Sequence, residues 1–177
     1  IVSRRLYQRA FAFAGRFIAG LDDLVTDGDV PSDGRTEDEK DAERARVMTR
    51  VNTKLVDMDG RLAAEAEIAA LAKTIGETLP EGHPLRKQAE GLSSHHIIVD
   101  LPRTPHPPRI TTIARNDDGR LDVPDVFYDP ARWATVYATQ RRTGYVFGQP
   151  ERRAIISVAA RVWFLRKFGC VLGEVAD

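Results

Sequence analysis

The segment SSHHIIVDLPRTPHPPRI, residues 93–110, contains four side chains of types that bind divalent metals: His95, His96, Asp100 and His106. On a strand, the adjacent His95 and His96 would point to opposite faces and could not converge on one ion. His96 and Asp100 would lie about 13 Å apart at 3.3 Å per residue, too far for joint ligation. We therefore predict a strand with an extended, proline-held exit, in which Asp100 shapes the turn and no metal binds.

No other catalytic constellation is visible in the sequence. There is no G-x-S-x-G elbow, no phosphate-binding P-loop and no G-x-G-x-x-G, and the single Cys170 has no histidine near it in sequence. One cysteine cannot form an internal disulfide and fits a reducing compartment. We expect Cys170 to be a small apolar filler near a helix end, and no catalytic residue in this chain.

The sequence has two arginine clusters: the first contains Arg4, Arg5 and Arg9, and the second contains Arg141, Arg142, Arg152 and Arg153. The first could bind phosphates. Arg5 and Arg9 are four residues apart and share one face of a predicted helix, so we select them as candidate phosphate-binding residues. Neither cluster has the aromatic interleaving of a nucleic-acid surface, so we expect no nucleic-acid partner.

The charge balance excludes a strong overall field. Lys and Arg together number 26, as do Asp and Glu, so any attraction of an anionic partner must be local. No apolar run is long enough to span a bilayer, and the first residues do not form a signal peptide, so we expect no membrane partner and a cytoplasmic location. The chain starts without Met inside a predicted helix, and we expect it to be a fragment of a longer protein.

The first half of the chain is predicted to be helical. Apolar residues at helical spacing predict an amphipathic helix from Arg4 to Val25, followed by an acidic loop at about 26–43. A second helical stretch, from about Asp41 to Leu79, is either one bent helix or two in sequence, and Gly60 is the candidate break. The PEGHP segment, residues 80–84, ends it.

The second half of the chain has a different residue pattern from the helical first half. Short β-branched or aromatic runs predict strands at 96–101, 109–115 and 144–148, and an Asp-Gly pair predicts a hairpin turn at 116–120. Asp129-Pro130 predicts the start of a helix.

A last helix is predicted over Arg152–Phe168, ended by Gly169. Together the elements predict an α+β fold, with a helical N-terminal half packed with a small, mainly antiparallel sheet and C-terminal helices. We divide it into a helical region, 1–92, and a small α+β unit, 93–177.

Three segments occur in an order that carries more information than any one of them: RRLYQRAFAFAG (4–15), HIIVDLPRTPHPP (96–108) and GYVFGQPERRAIISVAARVWF (144–164). This order resembles the C-terminal lobe of HD-superfamily deoxynucleoside triphosphate triphosphohydrolases. The matching positions are Tyr7-Gln8-Arg9, Ile98-Val99-Asp100 and Tyr145-Val146-Phe147.

The resemblance implies a non-catalytic C-terminal region that gives oligomer contacts and part of a nucleotide or phosphate site. Arg5 and Arg9, selected above from their spacing, could hold phosphate there in place of the family's own basic residues. Its partners would be a second copy or the rest of its own longer chain, and a nucleotide. The family's divalent metal is held by a His, a His-Asp dipeptide and a later Asp. This chain has no His-Asp dipeptide, so the metal is implied only for the longer protein and no cofactor for this chain. Gln8 and Ala12 stand where activator-binding basic residues would fall, which argues against activator control of that type.

An alternative function is a stand-alone protein-interaction module without enzymatic activity. It would bind a partner through an apolar helix face on which Phe11, Phe13 or Phe17 is exposed. A third function, nucleic-acid binding through the arginines, would show a steep salt dependence.

Overall fold

A computed structural model describes residues 7–14, 18–19, 36–102, 114–115, 121–122, 143–169 and 171–172. Within these ranges the helices are α1 (Glu37–Leu55), α2 (Met58–Thr78), α3 (Pro84–Ala89) and α4 (Arg153–Phe168). The strands are β1 (Gln8–Ala14), β2 (Ile18–Ala19), β3 (Ile97–Asp100), β4 (Ala114–Arg115), β5 (Leu121–Asp122), β6 (Thr143–Gly148) and β7 (Val171–Leu172). The predicted α+β fold class is confirmed.

The main sheet has three antiparallel strands in the order β1-β6-β3, and the pairs β2-β7 and β4-β5 form two small ladders. Its register aligns Phe11 of β1 with Val146 of β6 and Val99 of β3 in one row across the inner face. β1 comes from the region 1–92 and the other two strands come from 93–177, so the two regions share one sheet. The division of the chain into two domains stays a prediction.

The core lies between the inner face of the sheet and helices α2 and α4. The ring of Phe164 on α4 lies 4.6 Å from that of Phe13 and 5.8 Å from that of Phe11, and it contacts Trp163 and Phe168 at 4.9 and 5.6 Å. Phe11 and Phe13 are 5% and 0% exposed. They cannot form the exposed docking face of the alternative function, and that part of the expectation is wrong.

Two glycines on the inner face of β6 let the core close. A Cβ at Gly144 would lie 2.3 Å from the ring of Phe13, its direct cross-strand neighbour, and one at Gly148 would lie 2.4 Å from Ile156 Cδ1 on α4. Real Cβ atoms do not approach other atoms so closely. The ring of Phe13 therefore fills the space beside Gly144 that a side chain would occupy. An aromatic ring packed over a cross-strand glycine in this way stabilises the sheet.

The long helical stretch is two helices, one of the two expected alternatives. The chain breaks at residues 56–57 rather than at Gly60, which lies in the first turn of α2. Asp57 caps this helix, because its Oδ1 accepts a hydrogen bond from the Gly60 amide at 2.7 Å. A Cβ on Gly60 would lie 1.9 Å from the carbonyl oxygen of Lys54, so this glycine lets α2 begin close to the end of α1.

The end of α3 and the start of α4 cap each other. Arg152 Nη1 donates to the carbonyl oxygens of Gln88 and Glu90 at 3.0 and 2.6 Å, and Gln88 Oε1 accepts from the Ile155 amide at 3.1 Å. These bonds satisfy backbone groups that helix ends otherwise leave unpaired. α4 ends at Gly169, whose φ of 66° is left-handed, and this end confirms the prediction.

The predicted helix from Arg4 to Val25 is wrong, because residues 8–14 form the edge strand β1. The sequence QRAFAFA satisfies both a helical spacing and an alternation of period two, and alanine fits either. What decides the matter is the hydrogen-bonded partner β6, which lies far along the chain and is invisible to a local pattern.

The acidic stretch, which we expected to be a loop as far as residue 43, is helical from Glu37. Helix α1 starts with a capping box at Thr36. The Glu39 amide donates to Thr36 Oγ1 at 3.3 Å, and the Thr36 amide donates to Glu39 Oε2 at 2.8 Å. Pro84, which we assigned to the end of the helical region, also opens the short helix α3.

Strands β3 and β6 confirm two of the predicted strands. β4 and β5 pair antiparallel on either side of the expected hairpin turn. Several predictions lie outside the described residues: the turn at 116–120, the helix start at Asp129-Pro130, and Arg4, Arg5, Phe17, His106, Arg141, Arg142 and Cys170.

The two glycines of β6 should respond differently to alanine. Gly144→Ala should lower the free energy of unfolding by about 1–3 kcal/mol, because the Phe13 ring is fully buried and cannot move without disturbing the core. Gly148→Ala should cost less, since Ile156 Cδ1 ends a flexible side chain. Urea unfolding of both variants measures the difference, and equal losses would contradict this packing account.

Candidate functional site

The outer face of the main sheet, opposite the core, gathers residues from all three strands. Cross-strand register places Arg9 of β1 beside Phe147 of β6, and Phe147 beside Ile98 of β3. The neighbouring row pairs Tyr145 with Asp100. Directly paired residues of antiparallel strands point to the same face, so these five side chains form one surface, here called the outer face.

Two aromatic rings occupy the middle of the outer face. The ring centroids of Tyr145 and Phe147 lie 5.7 Å apart with an angle of 40° between the planes, and both side chains are half-buried. Ile98 beside them is 43% exposed. The open part of this face lies at the Arg9 end, because Ala12, further along β1, is only 4% exposed.

Of the two candidate phosphate-binding residues, Arg5 lies outside the described residues and Arg9 lies exposed on β1. We expected both arginines to lie on one face of a helix. This expectation is wrong for Arg9, because Arg9 lies on strand β1. The backbone of Arg9 is held by the ladder to β6. Tyr7, two residues earlier, donates a hydrogen bond from its hydroxyl to the carbonyl of His95, which ties the start of β1 to the turn that leads into β3.

His95 and His96 do not lie on the strand β3. Ser94–His96 form a short 3-10 turn that leads into β3, and His96 Nδ1 lies 3.0 Å from both the amide nitrogen and the hydroxyl oxygen of Ser93. His96 thus works as a local cap. Within the described ranges, no three side chains of His, Cys, Asp or Glu lie close enough to hold a metal ion.

The free edge of β3 is covered by two side chains of α2. Glu65 Oε1 accepts from the Val99 amide at 2.9 Å, and Arg61 Nη2 donates to the Leu101 carbonyl at 3.1 Å. Arg61 Nη1 also lies 3.7 Å from Asp100 Oδ1, and both side chains are partly exposed. An uncovered edge would invite pairing with another strand. Here a glutamate and an arginine take the place of that strand.

Burial raises the pKa of the Glu65 carboxyl above its usual 4.5, against the hydrogen bond from Val99 and the charge of Arg61. For Glu67, two residues further along α2, burial acts in the same direction, but Lys167 and Trp163 outweigh it and lower the pKa. Glu67 Oε2 lies 2.9 Å from Lys167 Nζ and accepts from Trp163 Nε1 at 2.6 Å. One glutamate is thus more costly to ionise, and the other is stabilised as an ion that joins α2 to α4.

A cleft of about 320 Å³ between α2 and α3 is a second place where a ligand could enter. Its charged lining residues are Lys73, Glu77, Arg86 and Glu90, two of each sign. Arg86 Nη1 already donates to the Leu79 carbonyl at 3.0 Å. The cleft has no aromatic ring and no net charge, so it offers a ligand less recognition than the outer face.

No family model, curated protein or solved structure matches the chain. None of the described helices is long and apolar enough to cross a membrane. Tyr145 and Phe147 are the site residues that sequence reasoning did not select as a site. The pattern that could have found them is the alternation of glycine or valine with aromatic residues along β6, which sends the rings to the face opposite the core.

Substitutions of Glu65 test the cover on the edge of β3. Glu65→Gln should leave the free energy of unfolding at pH 7 unchanged or higher, because glutamine keeps an acceptor for the Val99 amide and buries no charge. Glu65→Ala should lower it by about 1–3 kcal/mol, since it leaves a buried amide without a partner.

The pH dependence follows from the direction of the shift. A carboxyl whose pKa is higher in the folded state takes up its proton there first, so Glu65 makes the protein more stable as the pH falls from neutral toward 4.5. Glu67 acts in the opposite sense, and its contribution is lost as the pH falls through its lowered pKa. Wild type should therefore gain stability relative to Glu65→Gln between pH 7 and pH 4.5. Parallel curves for the two proteins would contradict the assignment.

Proposed function

We propose that the chain is a non-catalytic region of an HD-type deoxynucleoside triphosphate phosphohydrolase-like protein, and that its outer face forms one wall of a nucleotide or phosphate site. Support comes from one observation. Each of the three segments that carry the resemblance contributes one strand to the same sheet, and the register brings Arg9, Phe147 and Ile98 into one row.

Arg9 is the phosphate-binding residue of this proposal. An arginine guanidinium is a planar fork of N–H donors that matches the geometry of phosphate oxygens. Arg9 lies exposed at the open end of the outer face. Arg5, four residues earlier, is the second candidate phosphate-binding residue that was selected from the sequence.

The oligomer contacts of the proposal are assigned to an apolar patch at the junction of α1 and α2. Val56, Met58 and Leu62 are 61%, 66% and 52% exposed, and Met58 and Leu62 are four residues apart on one face of α2. Clustered exposed side chains of this size are typical of interfaces. We assign a second copy of the chain as the occupant; sedimentation that shows only monomer at every concentration would remove this part.

The nucleotide site is tested by melting the 177-residue chain with and without deoxynucleoside triphosphates. A ligand that binds only the folded state raises stability by about 2.7 kcal/mol at 100 times its Kd. We expect a deoxynucleotide to raise Tm by several degrees and Arg9→Gln to remove most of that rise.

The matched control is Arg46→Gln. Arg46 is an exposed arginine on α1, 3.6 Å from Glu43, and its loss changes the net charge equally. It should leave the nucleotide effect intact. The proposal fails if no deoxynucleotide raises Tm, or if the two arginine variants lose the effect to the same extent.

A further inference from the structure

The aromatic pair on the outer face is not used by the core. The inner face of β6 consists of Gly144, Val146 and Gly148, all buried, whereas Tyr145 and Phe147 are half-buried on the other side. Their tilted contact at 5.7 Å keeps each ring in place without covering both ring faces. Two ordered rings on a sheet surface are a form of platform on which nucleobases stack.

Charged residues of opposite sign lie at two corners of this ring pair and would orient a bound ligand. Arg9 lies beside Phe147 on β1, and Asp100 lies beside Tyr145 on β3. Two strand spacings and two residues separate them, so their Cα atoms are about 12 Å apart, at opposite corners of the ring pair. The Asp100 side chain is 47% exposed, and its Oδ1 lies 3.7 Å from Arg61 Nη1 at this corner. An anionic group is favoured at the Arg9 corner and opposed at the Asp100 corner.

We propose that the outer face binds a mononucleotide with its base against the Tyr145–Phe147 ring pair and its phosphates at Arg9. This inference rests on the proposed nucleotide or phosphate site and adds how the ligand is recognised. Stacking accepts any base because every base has a π-face, so the site selects an aromatic base joined to phosphate rather than one base. Ile98, at the end of the same row, adds apolar contact at the edge of the rings.

The test compares dATP with inorganic tripolyphosphate by titration calorimetry on the full chain. We expect dATP to bind at least about 10-fold more tightly, because only dATP can stack. Phe147→Leu and Tyr145→Leu should each weaken dATP binding roughly 10-fold and leave tripolyphosphate binding unchanged. Tyr145→Phe keeps the ring and should bind dATP as wild type does.

Leu165→Ala is the control, since Leu165 is an exposed apolar residue on α4, on the other side of the sheet. It should not change dATP binding. Phe147→Leu and Tyr145→Leu change residues outside the core. Their Tm and circular dichroism spectra should confirm that each variant is folded before its affinity is compared.

Two outcomes overturn the inference in different ways. If tripolyphosphate binds as well as dATP, loses affinity in Arg9→Gln, and Phe147→Leu and Tyr145→Leu change nothing, the stacking platform is wrong while the phosphate site stands. If neither ligand binds the folded chain, the nucleotide or phosphate site of the proposed function is wrong as well.

Discussion

The close approach of α4 to the sheet depends on the two positions of β6 that carry no side chain toward the core. Gly144 and Gly148 leave space that Phe13 and Ile156 fill, and a Cβ at either position would lie less than 2.5 Å from them. This contact lets the ring of Phe164 reach Phe13 at 4.6 Å. The core can therefore pack this closely because Gly144 and Gly148 have no side chains on the inner face of β6.

The same constraint determines what β6 carries on its outer face. Side chains alternate along a strand, so a strand that presents glycine, valine and glycine inward presents its remaining residues outward. In β6 these include Tyr145 and Phe147, and both neighbouring strands supply charged residues beside them, Arg9 and Asp100. The helix-covered face and the aromatic face are thus two consequences of one alternation, and among the described residues of β6 only the side chains of the second face are partly exposed.

Polar side chains elsewhere in the described structure hold elements together. Glu65 and Arg61 close the edge of β3, Arg152 and Gln88 join α3 to α4, and Glu67 joins α2 to α4. Each of these bonds satisfies a backbone group or a second side chain. Their contribution is structural, which leaves the outer face as the surface on which exposed charge and aromatic rings occur together.

Local patterns predicted the elements whose determinants are local. β3, β6 and the end of α4 at Gly169 follow from β-branched runs, glycine placement and helix capping. β1 could not be predicted in this way, because its Ala-Phe alternation fits a helix equally well and only pairing with β6 decides. Arg9 was selected on a helical geometry that is wrong, since it lies on β1, and its role in binding phosphate stays a proposal. The alternation along β6 shows on which face Phe147 lies, but only the register places Phe147 between Arg9 and Ile98.

The central claim is that the outer face is where a nucleotide binds, and amide NMR on the isotopically labelled 177-residue chain tests it most directly. On titration with dATP, the account predicts that the largest shift changes map to β1, β3 and β6, centred on Arg9, Ile98 and Phe147. Changes centred on the cleft residues Lys73 and Arg86, or no changes at all, would contradict it.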